Sequence, residues 1–304
     1  MTKNNWRALI LLLVLMSAVS TAATLARRRM ARIDMPAAMT AATDSARFTC
    51  IMPPASTPSA DSVDVPQSLP ARWRNTQPNR IEGDSLLAPA FDTLAAGGRP
   101  LRVLHLGDSH VASGDFTAAL RHTLQTAWGS GCVSVSYLAK NGATAEQFTA
   151  APWTQKIKAQ QADLIIVSFG TNECHGMGYR EEQHREQLRH VLSTLRELCP
   201  DAVVLLTTPP GDYLSTGRGR RRRPARPNPM VERCAAEIVR FSRDNGLAVW
   251  DLHTIAGGSQ ALTNYLGSGL MQRDRVHFTA AGYTLFGHCL GEALLTAYND
   301  GKRR

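Results

Sequence analysis

The 304-residue chain is predicted to fold as an α/β domain whose central parallel sheet is covered by helices on both faces. Three observations carry this. The segments 101–106, 164–169 and 202–207 are short, almost continuous apolar runs, the pattern of strands buried on both faces rather than one. Between them lie segments with helical periodicity, the longest at 180–198. Strand-like and helix-like segments alternate through the chain, and a strand–helix–strand connection makes its two strands parallel. A hydrophobic content of 43% suits one sizeable core.

The elements follow in order. Lys3 and Arg7 precede an apolar run from Ala8 to Ala26, and Arg27, Arg28, Arg29 and Arg32 follow it. Residues 1–26 therefore read as a signal peptide or a membrane anchor. Ser20, Ala22 and Ala23 suit cleavage, while a run of about 19 apolar residues also spans a bilayer. Arginines beyond the run weigh against a simple inside-to-outside anchor, because Lys and Arg favour the cytoplasmic flank. Both routes place the remainder in the periplasm or another extracytoplasmic space, with an inner-membrane tether if the run stays uncleaved. Residues 27–84 read as a linker or N-terminal extension, rich in Pro, Ser, Thr and Ala between 37 and 79. The domain is expected over 85–304. It opens with a short helix at 85–96 and a strand at 101–106. A helix at 116–128 and strands at 132–138 and 164–169 come next. The helix at 180–198, a strand at 202–207, a helix at 229–244 and a short strand at 247–250 continue the alternation. A last helix at 279–297 has Thr279 placed to cap it.

The net charge of +9 is concentrated after the leader, in a loop from Arg218 to Arg226, and in the tail from Lys302 to Arg304. An export signal argues against nucleic acid as the partner and favours an anionic envelope polymer or membrane surface. Six cysteines fit an oxidising compartment, allow 15 complete pairings, and show no zinc-ligand spacing. No metal or organic cofactor is called for, and no protein partner is predicted.

In a parallel sheet of this kind ligands bind where strand ends lead into the following helices. The polar motifs cluster there. Gly107-Asp108-Ser109-His110 follows the first strand, Asn141-Gly142 the second, and Gly170-Thr171-Asn172-Glu173 the third, while Asp274 and His277 precede the last helix. Serine needs a base to accept its proton, a group to orient that base, and donors for a developing oxyanion. Ser109, in a tight turn after a buried strand, is the candidate nucleophile. Asp274-Arg275-Val276-His277 places an acid three residues before a histidine, so one short turn can bring carboxylate to imidazole.

With these four blocks in this order, the chain resembles the SGNH or GDSL hydrolase superfamily over roughly residues 100–297. His110 departs from the motif, which carries leucine there. The resemblance implies a flavodoxin-like three-layer α/β/α sandwich and metal-free ester hydrolysis through an acyl-serine. It also implies a Ser109–His277–Asp274 triad, with an oxyanion hole from the Ser109 and Gly142 N–H groups and the Asn172 amide. The histidine after the serine, Asn141-Gly142-Ala143-Thr144, and Asp274-Arg275-Val276-His277-Phe278-Thr279 further resemble envelope esterases related to the peptidoglycan O-acetylesterases. The implied activity is removal of O-acetyl groups from an envelope polysaccharide. Three alternatives remain open: transfer of the acetyl group to a sugar, a lipid or short-chain acylhydrolase, and a non-catalytic glycan-binding protein.

Around this core, His110 and Glu173 are candidate substrate contacts, with Glu173 alternatively bracing the oxyanion loop. Asp108 is expected to bond nearby backbone N–H groups as turn acids do. His175, between the third strand and a Gly-rich turn, is a candidate pocket residue. Thr208-Pro209-Pro210-Gly211-Asp212-Tyr213 should border the site and lead into six arginines within nine positions, Arg218, Arg220 and Arg221 among them. These are expected to attract carboxylates of a cell-wall substrate.

Overall fold

The computed structural model describes residues 78–215 and 223–303, all within the unit Arg47–Arg304. The leader, most of the linker, Cys50, and Arg218, Arg220 and Arg221 lie outside the described residues. Packing begins upstream of the expected boundary at 85. Asn79 is buried, its amide donating to the Cys289 carbonyl (2.7 Å) and accepting from Trp250 Nε1 (2.9 Å). Ile81 joins the core, and Glu82 forms an antiparallel bridge with Val249.

A 3-10 turn at Asp84–Leu87 leads into helix α1 (Ala88–Ala96), where Pro89 sits in the first turn and no intrahelical N–H is required. Strand β1 (Leu101–Gly107) runs to the site, followed by the single turn α2 (Ser109–Ala112) and helix α3 (Asp115–Trp128). Strand β2 (Val133–Ala139), a 3-10 turn at Ala145–Thr149 and helix α4 (Trp153–Ala159) precede β3 (Leu164–Ser168). Then come the short α5 (Thr171–Cys174), the long α6 (Glu181–Leu198) and β4 (Val203–Thr207). A two-stranded ribbon, β5 (Tyr213–Leu214) against β6 (Arg226–Pro227), leads to α7 (Pro229–Asp244), with Asn228 capping it by accepting from the Met230 N–H. Strand β7 (Ala248–Trp250), α8 (Leu252–Ile255), α9 (Gly258–Gly267) and α10 (Ala280–Arg303) complete the chain. Thr279 caps α10 as expected, its hydroxyl accepting from the Gly282 N–H (3.3 Å).

The five-stranded sheet has the order β2-β1-β3-β4-β7 with every pairing parallel, the flavodoxin-like arrangement. Strand periodicity divides its side chains between two cores. Leu101, Val103, Ile166 and Leu205 face one layer with Phe116, Leu120, Phe286 and Leu290 of α3 and α10. Leu104, Leu106, Ile165 and Leu206 face the other with Leu188, Leu192 and Ile238 of α6 and α7. This is the predicted three-layer sandwich. Three buried strand positions are polar and adjacent: His105 pairs through its two ring nitrogens with Thr117 (2.9 Å) and Ser168 (2.8 Å), and Thr207 donates to Ser168 (2.8 Å). Burial pushes the His105 imidazole down to about 3, so it is neutral and ties β1, β3, β4 and α3 together near the sheet edge that carries the site.

Cys132 is disulfide-bonded, and Cys174, Cys199, Cys234 and Cys289 are buried free thiols. Among the described residues, no helix is long and apolar enough to cross a membrane and no group of His, Cys, Asp and Glu could hold a metal ion.

Candidate active site

At the carboxyl edge of the sheet, β1 ends in a turn so close-fitting that a Cβ on Gly107 would stand 2.2 Å from Val111 Cγ2. Asp108 caps α2, its Oδ1 accepting from the His110 N–H (2.9 Å), while the Val111 and Ala112 N–H groups return to the Asp108 carbonyl. The Ser109 N–H takes no part in these bonds, and the Ser109 side chain stands at the start of the helix. Its Oγ lies 2.8 Å from His277 Nε2, and His277 Nδ1 lies 2.7 Å from Asp274 Oδ2. The Asp274 side chain folds back over its own turn, where Oδ1 accepts from the Val276 and His277 N–H groups (3.0 Å each). This makes the three-residue spacing work: one carboxylate oxygen builds the turn and the other orients the ring. Burial works against ionisation of Asp274 but is outweighed by the Val276 N–H, the His277 ring and the His277 N–H, which hold the carboxyl below its usual range. Arg275, inside the turn, is left-handed at φ 62°, a conformation costing a non-glycine residue about 1–3 kcal/mol.

Gly142 and Asn172 come to the same place. They line one open cavity of about 460 Å³ with Ser109, His175, His277 and Tyr283. The Asn172 amide nitrogen donates to the Ala143 carbonyl (2.9 Å) and, through a longer bond, to Asp108 Oδ2 (3.2 Å). Glu173 clamps the two segments together: Oε1 accepts from the Ala145 N–H (2.8 Å) and Oε2 from the Gly170 N–H (2.9 Å). Burial raises the Glu173 and Asp108 carboxyls, Asp108 to about 7, against the lowering influence of their backbone donors.

Two expected substrate contacts, Glu173 and His110, are engaged within the protein. Each Glu173 oxygen accepts a backbone N–H, so the side chain joins the segments that carry Gly142 and Asn172, the bracing arrangement the sequence also allowed. His110 is 5% exposed, with Nδ1 3.0 Å from the Tyr283 hydroxyl, which also accepts from the Phe278 N–H. Burial pushes His110 down to about 3, so a neutral ring packs behind His277, 5.6 Å between ring centres. His175 does line the cavity, and its Nδ1 pairs with Asp212, a fully buried carboxylate. The sequence reading singled out neither Tyr283 nor the His175–Asp212 pair. Tyr283 lies four residues beyond the Thr279 cap, on the first turn of the last helix, and that position was its one available signal.

The sequence profile of the GDSL-like lipase/acylhydrolase family matches residues 105–285, more than half of the chain and the span that carries every block of the site. The chain belongs to this family. As a GDSL-like acylhydrolase it is a serine ester hydrolase. Among solved structures it is similar to a peptidoglycan O-acetylesterase, at TM-score 0.62 and 17% identity, covering 70% of this chain and 96% of that one. It is also similar to an acetyl xylan esterase, at TM-score 0.50 and 18% identity, covering 62% and 96%. At these identities the likeness establishes the SGNH-type fold of this GDSL-like chain. Among curated proteins none matches in sequence.

Proposed function

We propose that this GDSL-like hydrolase is an exported enzyme that removes O-acetyl groups from an envelope polysaccharide, peptidoglycan foremost, with Ser109 as nucleophile. The observation that carries the chemistry is the continuous chain Ser109 Oγ to His277 Nε2 (2.8 Å) and His277 Nδ1 to Asp274 Oδ2 (2.7 Å), open to a cavity that also holds Gly142 and Asn172. Asp274 fixes the tautomer with Nδ1 protonated, so Nε2 accepts the serine proton as Oγ attacks the ester carbonyl. The oxyanion forms against the Ser109 and Gly142 N–H groups and the Asn172 amide, and loss of one such donor commonly costs about 3–4 kcal/mol of transition-state stabilisation. His277 then returns the proton to the leaving sugar hydroxyl. Water, activated by the same ring, resolves the acetyl-serine.

The choice of an acetylated polysaccharide is supported by the peptidoglycan and xylan deacetylases among the structural neighbours and by the wide, open cavity. Location outside the cytoplasm rests on the leader of residues 1–26. The test is acetate release from O-acetylated peptidoglycan by the protein and by Ser109→Ala. Release by the parent and not by the variant is the expected result. Hydrolysis of short-chain aryl esters without release from peptidoglycan would remove that substrate.

A further inference from the structure

Beside the catalytic cavity runs a second groove of about 780 Å³, a volume that holds a saccharide-sized ligand. The two share His175 and Val276, so the groove starts where the catalytic cavity ends. Its wall carries Arg223, Arg273 and Arg275. Many arginines elsewhere are ion-paired, as in Arg99 with Asp163, Arg185 with Glu237, Arg233 with Glu181, and Arg243 with Glu82, while unpaired ones such as Arg121 and Arg196 donate to backbone carbonyls. None of the three groove arginines forms an ion pair among the described residues.

The two acids nearby are already engaged, Asp274 with His277 and Asp212 with His175. Arg275 is held in place from two sides: its carbonyl accepts the Tyr213 N–H (2.8 Å), and its guanidinium lies 5.5 Å from the centre of the Tyr213 ring. Among the described residues the groove sets three guanidinium groups against one lining carboxylate, Asp274, a net cationic surface that concentrates anions beside the reaction centre, and the planar guanidinium fork matches carboxylate geometry.

We propose that this groove is a subsite for a carboxylate on the alcohol side of the scissile ester, making the enzyme selective for acetylated glycans that carry carboxylates. The proposal rests on the esterase reading, and it is tested by binding, which needs no turnover. The probes are a galacturonate oligomer, whose carboxylates are on the sugar, a glutamate tripeptide, whose carboxylates are on a peptide, and a neutral malto-oligosaccharide.

Titration calorimetry on the full chain should show at least one anionic probe binding about tenfold more tightly than the neutral one. That probe should also inhibit p-nitrophenyl acetate hydrolysis competitively. In Arg223→Gln/Arg273→Gln both its Kd and its Ki should rise about tenfold, with Arg223→Lys/Arg273→Lys retaining much of the affinity. Which anion binds tells whether the carboxylate belongs to the sugar or to an attached peptide. No preference for either anion, binding without competitive inhibition, or constants unchanged within twofold in the glutamine variant would each overturn the subsite. Failure to hydrolyse p-nitrophenyl acetate would instead count against the esterase reading, leaving calorimetry to decide the groove.

Discussion

Glu173 makes the clearest demand on the site. Its two oxygens each accept one N–H, from Ala145 at 2.8 Å and Gly170 at 2.9 Å, and these donors belong to the separate segments that carry Gly142 and Asn172. Glu173→Gln keeps the shape but replaces one acceptor by an NH2 group. Whichever way the amide turns, one backbone N–H faces a donor. Loss of one bond to a charged acceptor costs about 1.5–3 kcal/mol, and for a domain of this size each kcal/mol lowers Tm by about 2–4 °C. A fall of about 3–12 °C is therefore expected. The Asn172 bond to the Ala143 carbonyl (2.9 Å) still joins the segments, so folding should survive. Activity should fall further than stability implies, because the two segments carrying the proposed oxyanion donors lose their common clamp. At 25 °C, well below the melting transition, kcat for p-nitrophenyl acetate should drop about 10- to 100-fold with KM changed less than threefold. A kcat within twofold of the parent, with Tm lowered, would show instead that the clamp serves stability alone.

Further outcomes are expected. Ser109→Ala should lower kcat for any ester at least about 10⁴-fold in a protein of unchanged Tm, read by p-nitrophenol release. Asp274→Asn should lower kcat about 10²-fold, less than for a fully buried orienting acid, because the Asp274 side chain is 47% exposed. Asp108 has a folded-state pKa of about 7 against 3.8 for the free side chain, so the folded protein holds a proton that the unfolded chain has lost. Its contribution is fully favourable below about pH 4 and fades as pH rises through 7. The Tm of Asp108→Asn relative to the parent should therefore climb between pH 4 and 7, and a pH-independent difference in thermal melts would contradict this. Gly287→Ala, whose Cβ would lie 2.4 Å from the Phe116 carbonyl, should force α3 and α10 apart and cost about 1–3 kcal/mol by denaturant titration.

Most of the fold was legible because burial on both faces leaves nearly unbroken apolar runs, and because helices between them repeat at 3.6 residues. The helix at Pro229–Asp244 matches its expectation at both ends, with Asn228 and Pro229 as explicit start signals. Helices α4 and α9 and the β5–β6 ribbon escaped notice. Their segments are short or glycine-flanked, and the ribbon contributes only two residues per strand. The site was legible for a related reason: each motif sits directly after a strand or before a helix, and a parallel sheet gathers those positions at one edge.

Local pattern limits which side chains can meet. Strand ends, the Asp274 to His277 spacing and the Thr279 cap are local features, governed by backbone periodicity and turn chemistry. Which polar groups face the cavity depends on long-range packing. The same residue types at the same edge divide into Ser109, Gly142 and His175, which face the cavity, and His110 and Glu173, which are turned inward, His110 buried with Nδ1 on Tyr283 and Glu173 accepting two backbone N–H groups. That division depends on partners up to 173 positions away in the chain, and a buried polar group takes whatever partner the packing supplies, which no local pattern records.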